Sequence, residues 1–327
     1  MGDIDYNEVV VSISCIVYNQ YNYIKKCLDG FLMQQTNFAF EILIHDDAST
    51  DGTAEIIKEY EAQYPNIIKP IYETENQWLQ GRRGSVEFNF HRARGNYIAM
   101  CEGDDYWLDP LKLQKQVDFL ESHPEYTMVC SDAIIQTSKG ELDWCRYAKD
   151  QEVPIDDIIR NGGLFIQTAS YLFRRKILAK YPVCCQRCHV GDYPLIIYAA
   201  LNGKVRWFAE KQVVYRFAIG NSWTATSSLC DISKQMVGWR SEVDMLIGLD
   251  KYSEYKYHNV FNERQALYIY EILRNNQKYL CDIEKHFYDI REKYSFQQKI
   301  NIFLMRNKLY YPIVNIIKRC RSKNEKI

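Results

Sequence analysis

Hydrophobic and polar positions along the 327-residue chain switch repeatedly between two periods. Val9-Val10-Val11-Ser12-Ile13-Ser14-Cys15-Ile16-Val17 is a β-branched run suited to a central parallel strand covered on both faces. It stops at the polar aromatic turn Tyr18-Asn19-Gln20-Tyr21-Asn22. From Tyr23 to Gln34, Ile24, Cys27, Leu28, Phe31 and Leu32 recur at helical spacing. Phe40 to His45 predicts a second strand. The turn Asp46-Asp47-Ala48-Ser49-Thr50-Asp51-Gly52-Thr53 follows, with Ser49 or Asp51 as cap for a helix through Ile56, Ile57 and Tyr60. Ile67 to Tyr72 and Tyr97 to Met100 predict two further strands. Strand and helix alternating at this spacing imply right-handed crossovers and a mostly parallel sheet with helices on both faces.

Beyond Asp109-Pro110 the pattern predicts a helix over Leu111–Leu120 and a strand over Tyr126–Asp132. Gly162 to Arg175 reads as an apolar strand punctuated by the hydroxyls of Thr168 and Ser170. Leu195 to Leu201 is an apolar helix, and Val205–Ala209 and Val213–Arg216 read as two closing strands. From about Asp231 the chain turns to helices dense in Tyr, Lys and Glu. The expected division is an α/β domain over 1–228 and a helical appendage over 229–327.

Composition changes this picture little. Hydrophobic residues make up 47% and charged residues 25% of the chain, as in ordinary globular proteins. A net charge of −1 supplies no basic field for nucleic acid. The start, Met1-Gly2-Asp3-Ile4-Asp5-Tyr6, lacks the basic and apolar segments of a signal peptide. No run approaches the roughly 18 apolar residues of a membrane span. Eleven cysteines, most of them single in apolar surroundings such as Cys15, Cys101 and Cys130, suit reduced core thiols and a cytoplasmic location. Cys184-Cys185-Gln186-Arg187-Cys188-His189 has the residues for zinc but no evident second ligand pair, so a reduced loop is expected.

The candidate chemistry lies where strands end. Ligands of parallel sheets bind beyond the carboxyl ends of the strands, and Tyr18, Asp46, Asp47 and Glu102-Gly103-Asp104-Asp105 all fall there. Three carboxylates within four positions are costly unless a cation sits among them, and hard oxygen ligands favour magnesium or manganese. The alternative is a solvated acidic turn. After the first strand there is neither G-x-G-x-x-G nor G-x-x-x-x-G-K-[ST], which disfavours a dinucleotide fold or a P-loop. Tyr18 could stack on a nucleobase and an Asp carboxylate accept its ring N–H. Equally, they could be a turn tyrosine and a helix-capping acidic pair.

Val-Ser-Ile-Ser-Cys-Ile-Val-Tyr18-Asn19, then Asp46-Asp47-Ala-Ser-Thr-Asp-Gly-Thr53, then Gly95-Asn-Tyr-Ile-Ala-Met-Cys-Glu102-Gly-Asp104-Asp105-Tyr-Trp107 together resemble the family 2 glycosyltransferases, which are inverting, nucleotide-sugar-dependent enzymes of the Rossmann-like GT-A fold. The resemblance covers roughly residues 9 to 225. It implies that Tyr18 and Asp47 hold the base, with Asp46 beside them. It also implies that Glu102-Gly-Asp104-Asp105 is the family's D-x-D element, with Glu102 in place of the first Asp. Glu102 and Asp104 would then face the ribose and nucleotide, and Asp104 and Asp105 the diphosphate-bound Mn2+ or Mg2+. Asp192, in His189-Val190-Gly191-Asp192, matches the family's catalytic base; on local sequence alone it is also a plain helix cap.

Weaker assignments for acceptor or phosphate are Arg94, Thr168, Ser170 and Trp223, and the Arg82-Arg83 loop is a candidate cover for the donor. Ala218 stands where many relatives have a His. The implied activity is transfer of a sugar from a nucleoside diphosphate, with UDP expected, to a hydroxyl of a glycan acceptor. A lipid-linked acceptor in surface polysaccharide synthesis is expected. The rival readings are a nucleotidyltransferase, which would want a Gly-rich basic loop after the first strand, and a non-catalytic nucleotide-sugar-binding relative. The basic, apolar stretch from Lys299 predicts an amphipathic helix on the cytoplasmic face of an anionic membrane.

Overall fold

The computed structural model describes residues 8–143, 145–219, 231–310 and 314. The chain divides into two compact units, Met1–Asp231 and Ile232–Ile327.

In the first unit, the strands β1 (Val9–Val17), β2 (Ala39–Asp46), β3 (Ile68–Tyr72) and β4 (Tyr97–Met100) form the parallel half of a ten-stranded sheet, in the order β3-β2-β1-β4. In β1, Val11, Ile13, Cys15 and Val17 are buried on one face while Ser12 and Ser14 are buried on the other. That two-sided burial is why the strand is nearly all β-branched or small. Its crossovers are α1 (Ile24–Leu32) and α2 (Thr53–Gln63). No capping side chain serves α1. Burial of Ile24, Cys27, Leu28 and Phe31 holds it instead. At ~1.5–3 kcal/mol for each large apolar side chain, this outweighs the ~1 kcal/mol that a cap contributes. Gly30 permits α1 to approach closely, since a Cβ there would stand 3.0 Å from the backbone nitrogen of Trp107.

The sheet continues through β5 (Tyr106–Trp107), β6 (Tyr126–Thr137), β7 (Gly140–Asp143), β8 (Gln151–Glu152), β9 (Leu172–Arg174) and β10 (Lys204–Arg216). Beyond β4 the order is β9-β6-β10-β5, with β7 on β6 and β8 on β10. Helices α3 (Lys112–Ser122), α4 (Ile155–Asn161), α5 (Val183–Gln186) and α6 (Asp192–Leu201) pack in the same unit, beside short helical segments such as Gly84–Asn89 and Phe90–Arg92. Two expectations need correction. The run Gly162–Arg175 is not one strand: Thr168–Ser170 form a tight helical turn, and only Leu172–Arg174 pair in the sheet. The two expected closing strands are one 13-residue strand, because the polar Glu210-Lys211 is absorbed as a register shift against β6.

The second unit is helical: α7 (Ile232–Tyr252), α8 (His258–Asn275), α9 (Leu280–His286) and α10 (Phe296–Arg306). Its core gathers Val243, Ile269, Leu273, Phe287 and Ile302. Helix α10 opens on a capping box between Ser295 and Gln298. Among the described residues no helix is long and apolar enough to cross a membrane.

Candidate active site

The carboxyl ends of β1 and β2 are stitched together by short polar side chains. The amide of Asn19 donates to Ser49 Oγ at 2.9 Å, that of Gln20 to Thr53 Oγ1 at 2.8 Å, and that of Tyr21 to Asp51 Oδ2 at 3.0 Å. In return Thr50 N donates to Asn19 Oδ1 at 2.8 Å. Burial pushes the Asp51 pKa up, but the Thr53 hydroxyl and the amides of Tyr21 and Thr53 outweigh it and leave it below the ordinary value. Gly52, at φ +94°, holds the N-cap position of α2. Ser49 and Asp51 thus tie two turns together, a larger task than capping alone.

This stitching leaves Tyr18 46% exposed at the strand end. Asp47 is buried beside it, and its carboxylate accepts the amides of Gln77 at 2.6 Å and Trp78 at 3.2 Å. Asp46 points inward: Oδ2 takes a long bond from Ser49 N, the Ser49 hydroxyl also favours the charged form, and Oδ1 has no partner among the described residues. Burial accordingly raises its pKa.

The acidic stretch leaves β4 at Met100. Its backbone is fixed to β1 by Cys101 N on Ser14 O and Gly103 N on Ile16 O, at 3.2 and 3.1 Å. Gly103 is required here, because a Cβ would lie 2.3 Å from Gln20 Oε1 and 2.9 Å from Val17 Cγ2. Glu102 is pushed up to about 8, first by burial and then by the charges of Asp104 and Asp192. Burial also raises Asp104, against the attraction of Arg216, and raises Asp105 further with help from Asp104.

Asp192 is the first residue of α6, and its Oδ2 accepts the Thr168 hydroxyl at 3.3 Å. Burial raises its pKa, while the Thr168 hydroxyl and the Tyr193 amide oppose the rise. The phenol of Tyr215 lies in the field of all four carboxylates: burial comes first, then Asp105, Glu102, Asp192 and Asp104 each push its pKa upward. Residues from Glu102 to Tyr215, 113 positions apart in sequence, therefore share one site.

The positive charge that makes this crowding tolerable is Arg216, at the end of β10. Its amide donates to Asp105 Oδ1 at 2.8 Å, its guanidinium donates to the carbonyl of Asp104, and Nε reaches Gln136 Oε1 at 3.2 Å. The guanidinium lies 4.9 Å from the Tyr23 ring centroid and 4.7 Å from that of Tyr106. In the sequence Arg216 marked only the end of a strand. An Arg closing an apolar β-run was the available signal, but its partners are 80 to 112 positions away.

Other candidates are placed elsewhere. Arg94 pairs with Glu41 at 2.8 Å, five residues before Asp46 on β2. At ~3.3 Å per residue that is about 16 Å from the carboxyl end, so Arg94 does not join the site. Arg92 is spent on the carbonyls of Ile44 and Lys69. Ser170 is fully buried and bonds the carbonyl of Gln167, whereas Thr168 does reach the site. Trp223 lies outside the described residues. Among the described residues no three His, Cys, Asp or Glu side chains are arranged to hold a metal. The buried carboxylates of the acidic stretch, held above their ordinary pKa by burial and offset in part by Arg216, are hard oxygen donors of the kind that a divalent cation takes.

Solved structures with the same fold include residues 1–349 of S. aureus TarS in complex with UDP-GlcNAc, at TM-score 0.68 and 14% identity over 96% of this chain and 92% of that one. A mannosyltransferase from Pyrobaculum calidifontis, in complex with GDP-Man and Mn2+, matches at TM-score 0.53 and 15% identity, over 91% of this chain and 80% of that one. The first unit thus has the GT-A fold of the glycosyltransferases. Residues 12–181, more than half of the chain, match the family model "Glycosyl transferase family 2", and the chain belongs to that family. An uncharacterised protein of Mycobacterium tuberculosis is 38% identical over 222 residues, 65% of this chain and 60% of its own length. The chain spans about 60% of the length of such curated relatives.

Proposed function

We propose that the protein is an inverting glycosyltransferase that moves a sugar from a nucleoside diphosphate, UDP in the first instance, to a hydroxyl of a glycan acceptor. The observation that carries this reading is the convergence of Glu102, Asp104, Asp105 and Asp192 around Tyr215, beside the strand ends that carry Tyr18 and Asp47.

In this reading Tyr18 offers its exposed ring to the base, and Asp47 keeps lone pairs for a ring N–H beyond the two amides that it already binds. Glu102 and Asp104 face the ribose and nucleotide. Asp104 is the more open of the two adjacent aspartates and Asp105 is committed on one oxygen to the Arg216 amide, so Asp104 would hold a divalent cation directly and Asp105 would support it. When bound there, such a cation would supply Lewis-acid neutralisation of the leaving diphosphate. Asp192 accepts the proton of the acceptor hydroxyl, which attacks the anomeric carbon opposite the leaving group. One displacement inverts the configuration. The burial that raises the Asp192 pKa strengthens it as a base, and Thr168 orients it. Asp192→Asn should lower transfer by ~10²–10⁴-fold, the range of general-base catalysis. Manganese-dependent UDP binding should stay near normal. Near-normal turnover by this variant would remove Asp192 from the role.

Peripheral contact with an anionic membrane, and with it a lipid-linked acceptor for surface polysaccharide, belongs to the same reading. On α10, Phe296 and Phe303 are 80% and 61% exposed while Ile302 and Met305 face the core. The basic stretch after residue 310 lies outside the described residues. Phe296→Ser with Phe303→Ser should reduce co-sedimentation with phosphatidylglycerol vesicles; unchanged partitioning would refute the contact.

A further inference from the structure

Away from the converging carboxylates, a cavity of about 320 Å³ opens between the segment after β3 and the end of α5, lined by Gly81, Arg83, Val86, Glu87, His91 and Arg187 among others. Its charge balance is positive. Glu87 is already spent, on Arg82 Nε at 3.0 Å and on the amide of Arg83 at 2.7 Å. Arg83 gives Nε to the carbonyl of Cys188 at 3.2 Å, and its two terminal nitrogens make no hydrogen bond among the described residues. Arg187 is exposed and makes no side-chain hydrogen bond or ion pair among them. Half-burial of Arg83, which pushes its pKa down, is a cost that an anion in the cavity would offset.

The cavity is also tied to the candidate base. Cys188, which holds Arg83, precedes Asp192 by four residues, and Arg187 precedes it by five. At 3.8 Å between successive Cα atoms, the Cα atoms of Arg187 and Asp192 are at most about 19 Å apart, less than the span of a few sugar units. We propose that this cavity binds an anionic group, a phosphate or a carboxylate, carried by the acceptor, and so selects an acidic glycan; the proposal rests on the reading of Asp192 as the base that receives the acceptor. Two forked guanidiniums with unused N–H groups are the chemistry that such oxyanions require.

The test uses the full chain, with glycerol 3-phosphate and glucuronate as probes followed by ligand-observed NMR. Saturable binding of either is expected, and Arg83→Gln with Arg187→Gln should weaken it at least tenfold. Tighter binding of glycerol 3-phosphate assigns a phosphate-bearing acceptor, and tighter binding of glucuronate a uronate. Arg187→Gln alone, at an exposed side chain that holds no polar partner among the described residues, should fold normally and still weaken the probe severalfold. No saturable binding, or binding indifferent to these substitutions, would overturn the proposal. If UDP displaces the probe and the double variant loses UDP affinity in parallel, the cavity belongs to the donor and the acceptor assignment is overturned. If the wild-type chain binds the probes but neither UDP nor GDP in the presence of manganese, the proposed donor site fails, and the acceptor assignment with it, while an arginine-dependent anion site survives.

Discussion

Replacing Arg216 tests whether the acidic stretch depends on one buried cation. Arg216→Met keeps most of the side-chain volume and the backbone amide on Asp105, but removes the guanidinium from between Tyr23 and Tyr106. Two hydrogen bonds from a charged donor are lost, to the Asp104 carbonyl and to Gln136, at ~1.5–3 kcal/mol each. Two cation–π contacts go as well, at ~0.5–1 kcal/mol each. These do not add fully, and removing one partner of a buried charged group costs ~3–5 kcal/mol in total. For a domain of this size each kcal/mol moves the midpoint by ~2–4 °C, so a fall on the order of 10 °C is expected in thermal unfolding. Manganese-dependent UDP binding should weaken in parallel, because Asp104 and Asp105 lose the charge that favours their ionised forms. Arg216→Lys should recover only part of either effect, since an ammonium cannot serve the Asp104 carbonyl and Gln136 from one planar fork. A midpoint within 2 °C of wild type, with UDP affinity unchanged, would refute the reasoning.

The other predictions concern the same stretch. Glu102 is raised from 4.5 to about 8, so between those values the folded protein keeps a proton that the unfolded chain has released. Its contribution to stability therefore declines as pH rises through that window, and Glu102→Gln should flatten the midpoint–pH profile between pH 5 and 8; parallel profiles would count against the assignment. Gly103→Ala drives a methyl against Gln20 Oε1 and Val17 Cγ2 and should cost ~1–3 kcal/mol. Adding Gln20→Ala should restore part of that cost, and strict additivity in denaturant unfolding would show that the contact is not the cause.

How much of this was legible depended on the range of the interactions. Strands β1, β2 and β4 could be read because double-sided burial demands nearly continuous apolar runs, and the strand ends located Tyr18, Asp47 and Glu102 directly. The run Gly162–Arg175 misled because a buried turn satisfies the same alternation of apolar residues and hydroxyls. There Ser170 Oγ and Tyr171 OH bond the nearby carbonyls of Gln167 and Ile166, doing locally what a ladder would do. Arg94 follows from the resemblance, in which an Arg before the acidic strand lies near the diphosphate, but its partner is Glu41, toward the amino end of β2 and away from the strand ends that carry the site. Arg216 could not be found by pattern, since its role arises only when β10 folds back beside β5.

The adjacency of β2, β1 and β4 sets a fixed gauge. Neighbouring strands lie ~4.8 Å apart, so the ends that carry Asp47 and Glu102 stand about two spacings, ~10 Å, from each other. In the proposed function one end meets the base and the other the ribose and diphosphate, so backbone hydrogen bonding, not any side chain, measures the ligand between them. Exchanges at Tyr18 or Asp47 can alter which base is preferred. No single exchange can shorten the gauge, and a sugar phosphate lacking its nucleoside would leave one end of it empty. In the proposed function the sheet thus fixes the nucleotide's length and leaves the sugar and acceptor side to the side chains.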